Sequence, residues 1–210
     1  MYADDIDNGS NDACGIASRI VSPNAFTCSD VGTHTVTLTV TDNNNNVSSC
    51  QTTVTVEDKV APNAICQDIT IQLDANGATS LVASDIDGGS NDACGIASIS
   101  ASKTDFDCSN AGANTVTLTV TDNNGNVSTC DATVTVEDNI APTFVSCQCD
   151  VIRANDPGDC SANVTMQCPV IVSDNCGTAA LTVTNSHNGT DNASGTYPVG
   201  VTTVIWTVTD

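Results

Sequence analysis

The sequence predicts an all-β fold of tandem, disulfide-stapled sandwich repeats, on three observations. The composition is rich in Val, Thr, Asp, Asn and Ser and poor in the Leu, Met and Lys that build helices. A self-comparison at a shift of 80 residues aligns long stretches of the chain with itself. Runs of alternating apolar and Thr residues recur between turn signals rich in Asn, Asp and Gly.

The repeat sets the frame. Asp5-Ile6-Asp7 and the run from Gly9 to Ser18 recur as Asp85-Ile86-Asp87 and Gly89 to Ser98. Thr35 to Asp42 recurs as Thr115 to Asp122, Thr53 to Asp58 as Thr133 to Asp138, and Ala61-Pro62 as Ala141-Pro142. A third, diverged unit keeps Asp174-Asn175-Cys176-Gly177 against Asp92-Ala93-Cys94-Gly95, and Trp206 to Asp210 against Leu118 to Asp122. The expected domains are therefore a partial repeat over 1–60 without its opening strands, a complete repeat over 61–140, and a diverged repeat over 141–210 without its closing strand. On this register the chain reads as a window on a longer array.

Within the complete repeat, strands are expected at Ile69–Leu73, Thr79–Ala83, Ile96–Ser102, Thr115–Asp122 and Ala132–Val136, the last two joined by the turn Asn123-Asn124-Gly125-Asn126. Val116, Leu118, Val120, Val134, Val136 and Trp206 are the expected inner face. About 80 residues of short strands suit an immunoglobulin-like sandwich. With 3% aromatic residues the core of such a unit is thin, and covalent staples are expected.

The 12 cysteines imply an oxidising compartment, secreted or at the cell surface. Zinc would need close Cys/His knuckles, and only Cys147-Gln148-Cys149 comes near that, far from His34 and His187. The strands carrying Cys66 and Cys130 are expected to be neighbours, so those two pair and Cys94 pairs with Cys108. By the same register Cys14 pairs with Cys28, Cys160 with Cys176, and Cys149 with Cys168. Cys50 and Cys147 then await partners outside these residues. No basic-then-apolar leader and no apolar run of about 20 residues is present, so membrane insertion is not expected within this segment.

The chain carries 25 acidic and 4 basic residues, a net charge of -21, which excludes a phosphate track and hence nucleic acid. The acid gathers in three segments expected at one end of each sandwich. At the first joint these are Glu57 and Asp58 in the linker, Asp85, Asp87 and Asp92 in one loop, and Asp122, Asn124 and Asn126 in another. At the next they are Glu137, Asp138, Asp174 and Asp210. So many carboxylates repel unless a cation joins them, and Ca²⁺ takes six to eight oxygens in flexible geometry. Calcium is therefore the expected cofactor, the alternative being Asx turns and solvated acidic loops with no bound ion.

Two family resemblances follow from these residues. Val136-Glu137-Asp138-Asn139-Ile140-Ala141-Pro142-Thr143-Phe144 resembles the cadherin linker, which implies calcium between domains. Asp156-Pro157-Gly158-Asp159-Cys160, Asp174-Asn175-Cys176, Tyr197-Pro198-Val199-Gly200-Val201-Thr202-Thr203 and Trp206 to Asp210 resemble the hyalin repeat (HYR). The first two repeats lack the Tyr-Pro-x-Gly stretch of that pattern. The resemblance implies extracellular immunoglobulin-like modules such as those frequent in large bacterial surface adhesins.

An enzyme is not expected, because the cysteines sit at staple positions and the two histidines at non-equivalent repeat positions. The expected function is an extracellular structural or adhesive stalk stiffened by interdomain calcium. Its partners would be neighbouring repeats and other copies in a fibre. The alternatives are a carbohydrate- or protein-binding module, and a filament subunit completed by strands from neighbouring chains.

Overall fold

The computed structural model describes residues 1–146, 150–166 and 170–210, all of whose regular elements are β-strands and short 3-10 turns. They fall into two compact units. One comprises Met1–Gln67, Ile86–Ser102 and Thr117–Asp131, the other Asp68–Asp85, Lys103–Val116 and Ala132–Asp210.

In the first unit, β1 (Ile16–Ser22), β2 (Gly32–Asp42) and β3 (Val47–Val56) form an antiparallel sheet in the order β1-β2-β3. Thr alternates with Val and Leu along β2, so the pleat sends Val36 and Leu38 inward, where each is at most 2% exposed. The hairpin from β2 to β3 turns at Asn43–Asn46, and Asn45 takes the left-handed backbone (φ 69°) that Asn tolerates.

Strands β4 (Ile69–Gln72), β6 (Ile96–Ala101), β8 (Gly112–Asp122) and β9 (Val127–Glu137) form a four-stranded sheet in the order β4-β9-β8-β6. β4 runs parallel to β9, with Ile69 opposite Val134, and β6 runs antiparallel to β8, with Ile99 opposite Val120. Two features make the strands of this sheet hold their face inward. Thr and Val have branched Cβ atoms that pack well on a pleat, and a slip of one residue would expose the whole apolar set. Accordingly Val116, Leu118, Val120 and Val134 are fully buried and Val136 is nearly so, as the alternation predicts.

In the second unit, β5 (Ala78–Ser80) pairs with β7 (Asp105–Asp107). β10 (Thr143–Ser146) pairs with β12 (Ile171–Ser173) and β11 (Ser161–Val164) with β14 (Gly195–Pro198). β13 (Thr182–Asn185) pairs with β15 (Trp206–Thr209), bringing Asn185 opposite Trp206. Val204, Trp206 and Val208 are half-buried while Ile205 and Thr207 are exposed. The expected face of Trp206 is thus the covered one, though less completely than Leu118. Tyr197 is buried, stacks on His187 with ring centroids 4.1 Å apart, and donates its hydroxyl to the Ala193 carbonyl. Burial raises the Tyr197 pKa.

Local structure departs from expectation in places: the strand expected at Thr79–Ala83 ends at Ser80, and Ala83 opens a 3-10 turn instead. β7 was not foreseen: it is three residues long, and Phe106, 3% exposed between two aspartates, leaves no periodicity to read. His34 lies within β2, with a ring nitrogen 2.6 Å from the Asp30 carbonyl oxygen.

Candidate metal centres beside the disulfides

The covalent framework positions the acidic groups. Cys66–Cys130 forms as expected, with Cα atoms 5.8 Å apart. The pairs Cys94–Cys108, Cys14–Cys28 and Cys160–Cys176 do not form. Cys28 joins Cys94 and Cys108 joins Cys176, with Cα separations of 5.1 and 5.4 Å. Cys14, Cys50 and Cys160 are free and exposed. The reason is positional. Cys28 and Cys108 each open a 3-10 turn just before a long strand, and the partner they meet belongs to the following repeat. Cys28 and Cys108 are equivalent under the repeat, as are Cys94 and Cys176, so one staple occurs twice. The expected pair Cys149–Cys168 lies outside the described residues.

Each staple is held by its turn. The Cys94 amide donates to Asp92 Oδ1 at 2.7 Å, and Asn123 Nδ2 donates to the Cys94 carbonyl at 2.8 Å. Gly95 follows at φ 93°, where a Cβ would stand 2.7 Å from Asn123 Nδ2, so only glycine fits without displacing that amide. The Cys176 amide donates likewise to Asp174 Oδ2 at 2.8 Å. On the other side of the Cys108–Cys176 staple, a Cβ on Gly77 (φ 72°) would lie 2.6 Å from both Cys108 Sγ and the Asn175 carbonyl oxygen.

These turns bring carboxylates together at two places. Asp58, Asp92 and Cys94 present atoms all within 4.8 Å of one another, and so do Asp138, Asp174 and Cys176. The two clusters are equivalent under the repeat. Asp58 Oδ1 accepts from the Val60 amide at 3.0 Å, while its Oδ2 is buried without a hydrogen-bond partner. In the second cluster Asp138 Oδ1 accepts from the Ile140 amide and from Asn175 Nδ2, both at 3.1 Å. Asp174 Oδ1 and Asn175 Oδ1 are buried there without partners. A buried oxygen left without a donor costs on the order of 1–3 kcal/mol, and a cation would remove that cost.

The donor set fits Ca²⁺. Two oxygens sharing one calcium at 2.3–2.6 Å stand at most about 5 Å apart, and the observed spread meets this. The Cys94 and Cys176 sulfurs are bonded in disulfides, so the ligands are the oxygens. Asn175, at the register position of Ala93, donates Nδ2 to Asp138 Oδ1 and carries a side-chain oxygen buried without a partner, a residue that sequence reasoning overlooked. Its signal was the substitution itself, an amide beside the conserved-register Asp174.

The other acidic residues expected at these sites have local duties. Asp122 Oδ1 accepts from the amides of Asn124 and Asn126, both at 2.8 Å, and Oδ2 accepts from Asn126 Nδ2 at 2.7 Å. Asn126 Nδ2 also reaches the Asp58 carbonyl at 3.2 Å, tying that turn to the linker. Burial pushes the Asp122 pKa up, but the Asn126 side chain and the turn amides outweigh it, and the net shift is down. Asp87 is lowered by the Ser90 hydroxyl and amide, and Asp85 Oδ2 accepts from the Val82 amide. Glu57 pairs with Lys59, and Glu137 accepts from Gln72 Nε2 at 2.7 Å. Asp210 is exposed at the chain end.

Asp7, Asp30, Asp42, Asp74 and Asp107 are also held below the usual carboxylate range by turn donors. A depressed folded pKa contributes stability above the unfolded value, near 4, that is lost as pH falls through the lower folded value. Melting temperature is therefore expected to stay level from pH 7 to about pH 5 and to fall steeply below pH 4. Calorimetric melts across that range check it, and a melting temperature unchanged down to pH 2 would contradict it.

No protein-family model matches the chain. By structure, it is similar to extracellular cadherin domains 1–4 of protocadherin gamma B7, at 14% identity with a TM-score of 0.34, covering 90% of this chain and 59% of that one. A second similar structure is mouse clustered PcdhgC3 EC1-3, at 16% identity and a TM-score of 0.33, covering 79% and 65%. By sequence, it is 33% identical over 216 residues to hyalin of Strongylocentrotus purpuratus, an animal protein, so the bacterial setting that the hyalin-repeat resemblance implied finds no support. That similarity covers 95% of this chain, which spans 17% of hyalin's length.

Proposed function

We propose that the chain is a segment of an extracellular structural or adhesive stalk, built from hyalin-like repeats and stiffened by calcium at Asp58/Asp92 and Asp138/Asp174. The observation that carries this reading is the recurrence of one carboxylate pair, with a buried oxygen lacking a donor, beside both inter-repeat disulfides. The close similarity of the first two repeats favours a spacer, because a spacer needs length rather than a unique site. The disulfides favour an oxidising, extracellular setting, and the relation to hyalin agrees with it.

Bound calcium would neutralise the facing carboxylates and tie the linker residues Asp58 and Asp138 to the loops carrying Asp92 and Asp174. Asp58 and Asp92 hold their turns through one oxygen each. The few protein oxygens at each site leave most of the six to eight positions to water, which suits the dissociation constants of about 10⁻⁴–10⁻³ M typical of extracellular modules.

The test is titration calorimetry with calcium, paired with thermal melts in chelator and in millimolar calcium. Two sites are expected, each adding about 1.4 kcal/mol at tenfold excess over its dissociation constant. Asp58→Asn with Asp92→Asn is expected to halve the stoichiometry. In chelator the same variant is expected to melt no lower than the unsubstituted chain, because it also removes the repulsion. Identical melts in chelator and calcium, with no heat of binding, would sink the calcium reading.

A further inference from the structure

We infer that the chain is a tension-carrying strap whose maximum length between Cys28 and Cys176 is capped by its interlaced disulfides. The loops closed by Cys28–Cys94, Cys66–Cys130 and Cys108–Cys176 overlap in sequence, with separations of 66, 64 and 68 residues. Tension applied to the two ends enters at Cys28 and crosses the disulfide to Cys94. It then runs along the backbone to Cys108 and crosses to Cys176. Every other residue between Cys28 and Cys176 lies off the load path. Fully unfolded, that span can lengthen to only the ~14 residues between Cys94 and Cys108, about 50 Å at ~3.6 Å per residue. The same span without disulfides would reach about 500 Å.

The pairing, and not merely the number of disulfides, produces this cap. Bridges between Cys14 and Cys28 and between Cys94 and Cys108 would each hide about 14 residues and leave the rest of the backbone free to pay out. Pairing from one repeat to the next hides the long segments instead. Cys66–Cys130 serves as a reserve. If Cys28–Cys94 breaks, tension runs from Cys28 to Cys66, across to Cys130, back along the chain to Cys108 and over to Cys176, about 60 residues in place of ~14. Unfolding between Cys28 and Cys176 under load therefore adds little length, so the reach of that span survives loss of its folded structure. This holds whether or not calcium binds.

The experiment is force spectroscopy on the full chain, held through peptide tags at its two ends and stretched with and without dithiothreitol. The oxidised chain is expected to reach about 270 Å, counting the tails outside Cys28 and Cys176, and the reduced chain about 750 Å. Cys28→Ser with Cys94→Ser is expected to lengthen the oxidised chain by about 165 Å. Cys66→Ser with Cys130→Ser is expected to lower the unfolding force and leave the maximum length unchanged. An oxidised chain that exceeds half the reduced length overturns the inference, and one below half supports it. Equal lengthening by the two double variants also overturns it. Because the reading depends on length alone, a chain that fails to bind calcium still tests it.

Discussion

Replacing Cys28 and Cys94 together by serine is expected to destabilise the unit that contains them by about 4 kcal/mol. The entropic model gives that figure for a loop of this length, because the bridge removes conformations from the unfolded chain in proportion to the logarithm of the closed segment. The separation of 66 residues makes the effect larger than the ~3 kcal/mol of a loop of about 15 residues. A loss of this size rivals the whole stability of a small domain. Urea unfolding of the double variant beside the unsubstituted chain measures it. Non-reducing peptide mapping supplies the independent check: the peptide of Cys94 is expected attached to that of Cys28. Recovery of Cys94 with Cys108 would contradict the framework.

Leu118→Ala is expected to cost about 3 kcal/mol, within the 2–5 kcal/mol seen for buried leucine truncations. Leu118 is fully buried between Val116 and Val120 on the inward face of β8, and a rigid, hydrogen-bonded sheet collapses poorly into the space left behind. Ile20→Ala provides the contrast. Ile20 is 60% exposed on β1, so its truncation is expected to fall within about 0.5 kcal/mol of neutral. Urea midpoints for the two variants should differ accordingly. Equal midpoints would mean that the Thr/Val alternation does not define the core.

The alternation was legible because its period equals that of the pleat. From Val116 to Val136, each apolar residue read as inward is buried. Cys66–Cys130 was legible for a related reason, since Cys66 lies just before β4 and Cys130 within β9, the strand that β4 pairs with. Cys28–Cys94 was not. A cysteine 14 residues further along offered a plausible local partner, and nothing in strand periodicity says which repeat a turn will face. A faint signal existed in the spacings, since Cys28 to Cys94 and Cys108 to Cys176 nearly match the separation of Cys66 from Cys130. The acidic residues show the same division. Their concentration near the linkers was readable, whereas the sorting of Asp122 and Asp87 into turn caps and of Asp58 with Asp92 into a facing pair depends on hydrogen bonds that composition does not encode.

The twice-repeated staple also bears on how such a gene can change length. Cys28 and Cys108 occupy the same repeat position, 80 residues apart, and each reaches forward to the same position one repeat on. Unequal recombination that excised Ser29 through Cys108 would place Cys28 where Cys108 had stood, ready to bridge Cys176. Cys130 would inherit the unpaired role of Cys50, and no new kind of orphan thiol would arise. Gains or losses in whole repeats thus keep the covalent ladder in phase, whereas an indel of a few residues inside a repeat would put a cysteine out of reach of its partner. Selection on this framework would therefore tolerate copy-number variation and penalise small frame-preserving indels within a repeat.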